Sequence, residues 1–149
     1  MPFITFGRIL FAVLFIYSGA AALFGIQATA DMLAAKVTIP PLLAPYVSQL
    51  ETVANMQFPQ ILAIAVGAFQ VIAGLMIALN IGTRFFAVLM IFYVMAATFY
   101  FHDFWNQAAP DNKQALTDAL KNLSIIGALF MIAGYGRGRR AAEPAYGDV

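Results

Sequence analysis

The chain has 149 residues, of which 62% are hydrophobic and only 10% are charged. Soluble domains are usually about 45–50% apolar and about 25% charged, so this composition excludes an ordinary cytosolic enzyme and a disordered protein. The formal net charge of +1 is too small for a nucleic-acid binder. The absence of cysteine excludes disulfides, CxxC redox pairs and thiolate metal sites.

Four apolar stretches predict four transmembrane helices, because about 20 residues at about 1.5 Å each cross about 30 Å of hydrocarbon. Backbone polar groups in lipid must be satisfied within their own segment, which favours helices over strands. The predicted spans are approximately residues 3–25, 59–81, 83–102 and 115–135. We therefore predict an all-α, polytopic membrane protein with a four-helix transmembrane domain over residues 1–136 and a polar cytoplasmic tail over residues 137–149.

The first apolar stretch also has features of a secretory signal peptide, since Ala28-Thr29-Ala30 is similar to a cleavage site. Its apolar run is long for a signal sequence, and Arg8 is its only early positive charge. We interpret the stretch as a retained transmembrane helix.

The loop that follows, residues 27–58, contains a second kind of helical pattern. Prolines at positions 40, 41 and 45 break its first half. Apolar residues then recur at the i, i+3, i+4, i+7 spacing, at Leu43, Tyr46, Val47, Leu50, Val53 and Ala54. This spacing predicts an amphipathic helix that lies at the membrane surface or caps the bundle.

The distribution of basic residues predicts the orientation. Arginines lie on one side of the predicted membrane, at Arg8, Arg84, Arg137, Arg139 and Arg140. Lysines lie on the other side, at Lys36, Lys113 and Lys121. Because five cations lie on the arginine side and three on the other, we place both termini and the Asn80–Thr83 turn in the cytoplasm and the 27–58 loop outside.

Polar side chains are concentrated in the outer third of the predicted membrane. Counting from the arginine boundary, Gln70 falls at about 21 Å, Asn122 at about 22 Å and Lys121 at about 24 Å. The candidate ligand-binding residues are His102, Lys121, Gln70, Asp103, Trp105 and Asn122. Together they suggest a pocket in which His102 and Lys121 hold the oxygen-bearing head group of a quinone or a lipid, while an apolar slot takes its tail.

Each candidate also has a purely structural interpretation. Lys121 can extend its ammonium group toward water and pair with Asp118 at i, i+3. His102 and Trp105 can belong to an aromatic belt at the interface. Gln70 lies among the small residues Ala63, Gly67, Gly74 and Ala78, where an interhelical hydrogen bond is the usual role.

Other positions are predicted to be structural. Gly127 and Gly134 suggest tight packing of the fourth span. Tyr17, Ser18 and Tyr93 are expected to pack or to form hydrogen bonds. Four residues are assigned as structural charges, namely Arg8, Arg84, Asp118 and Arg137.

The sequence contains no recognisable catalytic motif. A single histidine cannot form a multi-histidine metal or haem site, and no phosphate loop, nucleophile elbow or zinc motif is present. We predict no catalytic residue, no metal and no intrinsic cofactor, with a quinone or lipid as the possible ligand.

Five short motifs follow one another along the chain: Gly67-Ala-Phe-Gln70-Val-Ile-Ala-Gly74-Leu75, Gly82-Thr83-Arg84, His102-Asp-Phe104-Trp105, Lys121-Asn122-Leu123 and Gly134-Tyr-Gly136-Arg137. In this order and spacing the chain resembles the DoxX family, which comprises small four-helix membrane proteins of bacteria and archaea. The resemblance implies a small subunit or partner of an oxidoreductase system in a bacterial inner membrane. It also places the family's polar positions on Arg8, Arg84, His102 and Lys121.

The chain departs from the family pattern at two positions. The neutral Gln70 stands where many relatives have an acidic residue, and Ala22 stands where many have a lysine. The joint absence of these two charges favours a scaffold role.

Two functions are therefore expected. The first is a non-catalytic subunit of a respiratory or redox membrane complex, with a quinone or lipid pocket in the outer leaflet. The alternative is a purely structural accessory subunit that stabilises a larger membrane assembly and has no ligand chemistry. The expected partners are the lipid bilayer and other membrane protein subunits or further copies of the chain, with no nucleic acid.

Overall fold

The computed structural model describes residues 2–136, which form six α-helices and one short 3-10 turn. The helices are α1 (Pro2–Phe24), α2 (Ile26–Lys36), α3 (Ala44–Ala54), α4 (Phe58–Leu79), α5 (Thr83–Phe101) and α6 (Asp111–Tyr135), and the turn is Pro41–Leu43. Four of them, α1, α4, α5 and α6, are long and apolar enough to cross a membrane. The prediction of an all-α protein with four transmembrane helices is confirmed. The predicted tail, including Arg137, lies outside the described residues.

The largest helical interface joins α1 and α4, and small residues allow it. A Cβ added to Gly19 would lie 2.5 Å from the carbonyl oxygen of Gly67, and one added to Gly74 would lie 2.8 Å from Ile16 Cγ1. In lipid there is little hydrophobic force between helices, so close van der Waals contact must hold them together. The predicted role of small residues in the second span is therefore confirmed.

A second pair, α5 and α6, joins the first through contacts between α4 and α5. Side chains from all four spans meet in one buried cluster, which contains Ala12, Phe15, Ala73, Ile77, Ala87, Met90, Ile91, Val94 and Leu129. This cluster fixes the four spans as one bundle.

The segment between α1 and α4 contains more helix than the sequence indicated. One amphipathic helix was predicted there, and α3 matches it, but α2 was not predicted. In α2 only Ala30 and Leu33 are buried, against Ala63 of α4. Two buried positions in an 11-residue helix give a weak periodic signal, so this helix depends on its tertiary contact with α4.

The polar side of α3 holds it to the bundle. The backbone N–H of Phe58, at the start of α4, donates a hydrogen bond of 2.7 Å to the Glu51 carboxylate. A carboxylate at a helix N-terminus satisfies an unpaired N–H and complements the helix dipole. The apolar side chains of α3 point away from the protein, since Tyr46 is 68% exposed and Val53 is 86% exposed.

The two ends of the bundle have different chemistry. One end holds the starts of α1 and α5 and the ends of α4 and α6, together with Arg8 and Arg84; we call it the arginine end. The other holds α2, α3 and the segment 102–110; we call it the loop end. The turn at the arginine end needs left-handed backbone, with φ of 61° at Asn80 and 57° at Gly82, which asparagine and glycine tolerate best.

Candidate functional site

Gln70 lies at the contact between α4 and α5. It is 4% exposed, and its amide donates a hydrogen bond of 2.6 Å to the Tyr93 hydroxyl. Gln70 is nine residues before the end of α4 at Leu79, or about 14 Å from the arginine end. It therefore lies near mid-bundle rather than in the outer third. The sequence-based depth was too large because it counted the turn residues 80–83 as helical rise.

Asn122 forms the corresponding contact between α5 and α6. Its amide donates a hydrogen bond of 2.9 Å to the Thr98 hydroxyl, and that hydroxyl donates in turn to the Val94 carbonyl at 2.7 Å. Both Asn122 and Thr98 lie about 20–22 Å from the arginine end, as the helical rise predicts. Asn122 is thus engaged with a neighbouring helix.

Lys121 forms the predicted i, i+3 ion pair. Its ammonium group lies 2.9 Å from the Asp118 carboxylate, and the Lys121 side chain is 65% exposed. Gln114 donates a second hydrogen bond to Asp118, at 3.0 Å. Exposed pairs of this kind contribute about 0–1 kcal/mol, so the pair orients the lysine more than it stabilises the helix.

His102 is the C-cap residue directly after α5, and its side chain is partly buried. Its backbone N–H donates to the Thr98 carbonyl at 3.0 Å. Asp118 of α6 is hydrogen-bonded to Lys121 and Gln114 and not to the imidazole. The structure thus places His102 at the same end of the bundle as the Lys121–Asp118 pair, without a direct contact between them.

Asp103 belongs to a separate contact set. The Gln107 amide donates a hydrogen bond of 2.9 Å to its carboxylate. This hydrogen bond, with a smaller contribution from the positive charge of Lys36, holds the pKa of Asp103 below its usual value. Asp103 is therefore held within the segment after α5, by Gln107.

Trp105 packs in an aromatic group at the same end. Its ring lies 5.0 Å from that of Phe104 and 5.7 Å from that of Phe99, between ring centroids. The indole is 51% exposed. This arrangement is typical of an interfacial aromatic belt.

At the arginine end, Arg8 and Arg84 each donate a hydrogen bond to a carbonyl at the C-terminus of a neighbouring helix. Arg84 donates from Nε to the Gly136 carbonyl at 3.0 Å, and Arg8 donates from Nη2 to the Ala78 carbonyl at 3.4 Å. The last carbonyls of a helix have no partner within the helix and carry partial negative charge. The two cations compensate the ends of α6 and α4.

The expected packing was wrong at four positions. A Cβ added to Gly127 or Gly134 would meet no atom within 4 Å, so neither glycine packs tightly. Tyr17 is 75% exposed, and Ser18 is also exposed. These residues lie on outer faces of α1 and α6, and helical spacing alone does not distinguish an outer face from an interface.

The sequence analysis did not predict the hydrogen-bond partners of the Gln70 and Asn122 amides. Tyr93 was expected to pack or to form a hydrogen bond, but not specifically with Gln70. Thr98 lies at nearly the same calculated depth in the membrane as Asn122. This match in depth was the sequence feature that pointed to their hydrogen bond.

The part of the chain that the structure describes contains no group of three or more His, Asp or Glu side chains able to hold a metal ion. The polar groups of the loop end can donate and accept hydrogen bonds.

Comparison with known proteins gives one match. No curated protein and no solved structure matches the chain. The family described as DoxX matches residues 3–103, which is more than half of the 149 residues. The matched region runs from α1 to Asp103 and includes Arg8, Gln70, Arg84 and His102. The chain is therefore a membrane protein of the DoxX family.

Proposed function

We propose that the chain is a non-catalytic subunit of a redox complex in a bacterial inner membrane and that it binds the head group of a quinone or lipid in the outer leaflet. The observation that supports the proposal is that the Lys121–Asp118 pair and the partly buried His102 lie at the same end of an otherwise apolar bundle. DoxX membership supports the membrane location, and the redox partner follows from the resemblance to that family.

The chemistry of these side chains suits an oxygen-bearing head group. An ammonium group has three N–H donors, and Asp118 accepts from Lys121, so the lysine can donate to a further acceptor. An imidazole ring carries an N–H donor. His102 can therefore donate a hydrogen bond to a quinone oxygen.

An apolar cavity lies at the same end of the bundle. Its volume is about 170 Å³, and its lining includes Leu33, Val37, Phe58 and Leu62. Phe101, the residue before His102, packs against the cluster to which Leu33 belongs. This cavity can take part of an apolar tail whose head group contacts His102.

The polar groups deeper in the bundle support a non-catalytic role. Gln70 and Asn122 each donate to a hydroxyl of α5, and these bonds join neighbouring helices. Their side chains hold the bundle together, which leaves the loop end as the place for ligand chemistry.

The proposal is tested by oxidation of decylubiquinol in membranes that contain the chain with its natural partners. We expect the double variant His102→Leu, Lys121→Leu to raise the KM for decylubiquinol about tenfold, equivalent to about 1.4 kcal/mol of binding free energy. The matched control is Lys113→Leu, which removes an exposed cation from the first turn of α6. Unchanged kinetics of the double variant in an intact complex would contradict the head-group site.

The second candidate is a structural accessory subunit without ligand chemistry, and α6 favours it. This helix packs mainly on α5, and the open space beside Gly127 and Gly134 can admit another helix. If this role is correct, Gly127→Leu with Gly134→Leu will lose the co-purifying subunits after mild solubilisation, whereas the chain itself stays folded. If the variant retains those subunits, the side of α6 that contains Gly127 and Gly134 is not their docking surface.

A further inference from the structure

A groove lies between α1 and α6 at the arginine end, away from the loop-end site. Its volume is about 240 Å³, and α1 and α6 make little direct contact across it. Gly7 and Phe11 line it from α1, and Ala128, Met131 and Tyr135 line it from α6. A Cβ added to Gly7 would meet no atom within 4 Å, so the groove is open along that side of α1.

One cation lines this apolar groove. Arg8 is partly buried, and its hydrogen bond to the Ala78 carbonyl is long, at 3.4 Å. Its Nε is shielded from solvent and has no hydrogen-bond acceptor among residues 2–136. A shielded donor on a charged group is unfavourable without an acceptor. The groove thus contains a guanidinium group suited to an additional oxygen ligand.

The charge around the groove is positive. Within residues 2–136 the acidic residues all lie at the loop end, namely Asp31, Glu51, Asp103, Asp111 and Asp118. Arg84 adds a second cation nearby, because it donates to the carbonyl of Gly136, which also lines the groove. Charge complementarity therefore favours an anionic occupant.

We propose that this groove binds an anionic phospholipid, with a phosphate oxygen at Arg8 and one acyl chain along Gly7, Phe11 and Met131. A guanidinium group donates in a planar fork that matches phosphate, and basic pockets between transmembrane helices bind anionic head groups. Arg8 lies level with the ends of α4 and α6. This is the depth of the lipid head groups in the leaflet at the arginine end.

The test is native mass spectrometry of the purified chain in detergent, with palmitoyl-oleoyl phosphatidylglycerol and the matching phosphatidylcholine added at equal concentration. We expect the chain to retain the phosphatidylglycerol at least about fivefold over the phosphatidylcholine, equivalent to about 1 kcal/mol. Arg8→Gln removes this preference. Lys113→Gln, which removes one positive charge at the loop end, leaves it unchanged.

Arg8 also contacts the end of α4, so its substitution affects folding as well as lipid binding. A second variant separates these two effects. Ala128→Phe fills the groove without changing any charge, and it reduces the retention of both lipids. Helical circular dichroism and elution volume identify variants that remain folded. The loop-end double variant His102→Leu, Lys121→Leu retains the lipid preference, so this inference and the proposed function fail separately.

Three results would overturn the inference. Equal retention of the two lipids by the unmodified chain would exclude recognition of the anionic head group. An unchanged preference in Arg8→Gln, together with unchanged retention of both lipids by Ala128→Phe, would place the lipid elsewhere. Displacement of phosphatidylglycerol by equimolar decylubiquinone, or a dimer that excludes lipid from the groove, would show a different occupant.

Discussion

The amides of Gln70 and Asn122 both donate to hydroxyl groups of α5. Gln70 donates from α4 to Tyr93, and Asn122 donates from α6 to Thr98. The two bonds join α5 to its neighbours at different depths of the bundle. Because Gln70 is only 4% exposed, its amide loses its hydrogen bond when the hydroxyl of Tyr93 is removed.

The first prediction concerns this hydrogen bond. Tyr93→Phe should lower the free energy of unfolding in detergent by about 0.6 kcal/mol, and by no more than about 1.7 kcal/mol, which is the range measured for interhelical hydrogen bonds in membrane proteins. The matched control is Tyr17→Phe, since the Tyr17 side chain is 75% exposed. Unfolding by sodium dodecyl sulfate, followed by circular dichroism, measures both. Equal effects of the two substitutions would contradict the assigned role of Tyr93.

At the scale of single elements, the contact between α1 and α4 depends on the absence of side chains. Gly19 and Gly7 both belong to α1, but only Gly19 faces α4 closely. A Cβ at Gly19 would lie 2.5 Å from a backbone oxygen, whereas a Cβ at Gly7 would meet nothing within 4 Å. These two glycines therefore provide a matched pair on one helix.

The second prediction compares alanine at these two positions. Gly19→Ala should destabilise the bundle by about 1–3 kcal/mol, because the helices must separate to admit the methyl group. Gly7→Ala should be neutral or slightly stabilising, since alanine favours helix by up to about 1 kcal/mol relative to glycine. Thermal unfolding in detergent measures the difference. A fully stable Gly19→Ala variant would show that α1 and α4 are not in close contact.

The third prediction concerns the start of α4. Glu51→Ala removes the acceptor of the Phe58 N–H and should destabilise the first turn of α4 by about 1 kcal/mol. Thr52→Ala is the neighbouring control, because the Thr52 hydroxyl bonds only within its own helix, to the Ser48 carbonyl. Amide hydrogen exchange in α4 measures the effect. Identical exchange in the two variants would mean that α3 does not hold the start of α4.

At the scale of the whole molecule, hydropathy predicted the four transmembrane spans but not the helical segments next to them. The start of α6 at Asp111 was missed because its first turns are polar and extend beyond the apolar stretch. Helix α2 was missed because Ala30 and Leu33 become buried only through contact with α4.

The candidate site was predicted only in part. The ion pair of Lys121 with Asp118 follows from their i, i+3 spacing within one helix, and the sequence contains that spacing. The position of Gln70 depends on where α4 ends, and the groove beside Arg8 depends on two helices that do not pack together. Neither property can be read from the pattern of a single helix.

The fourth prediction concerns orientation in the membrane. The chain has no cysteine, so single-cysteine variants give an unambiguous label. Ser48→Cys in α3 should react with a membrane-impermeant maleimide in intact spheroplasts. Ile81→Cys, in the exposed turn at the arginine end, should react only after permeabilisation, because arginine-rich ends remain in the cytoplasm. The opposite labelling pattern would place the loop end, and the proposed head-group site, on the cytoplasmic side.

The most direct test of the account compares the purified chain with the assembly captured by mild solubilisation, both assayed for decylubiquinol oxidation. We predict that the captured assembly oxidises decylubiquinol and that the chain alone shows no turnover above the uncatalysed rate, because the role proposed for its polar side chains is to hold a head group and not to transfer electrons. Turnover by the chain alone, at a rate comparable with that of the assembly, would contradict the role of a non-catalytic subunit.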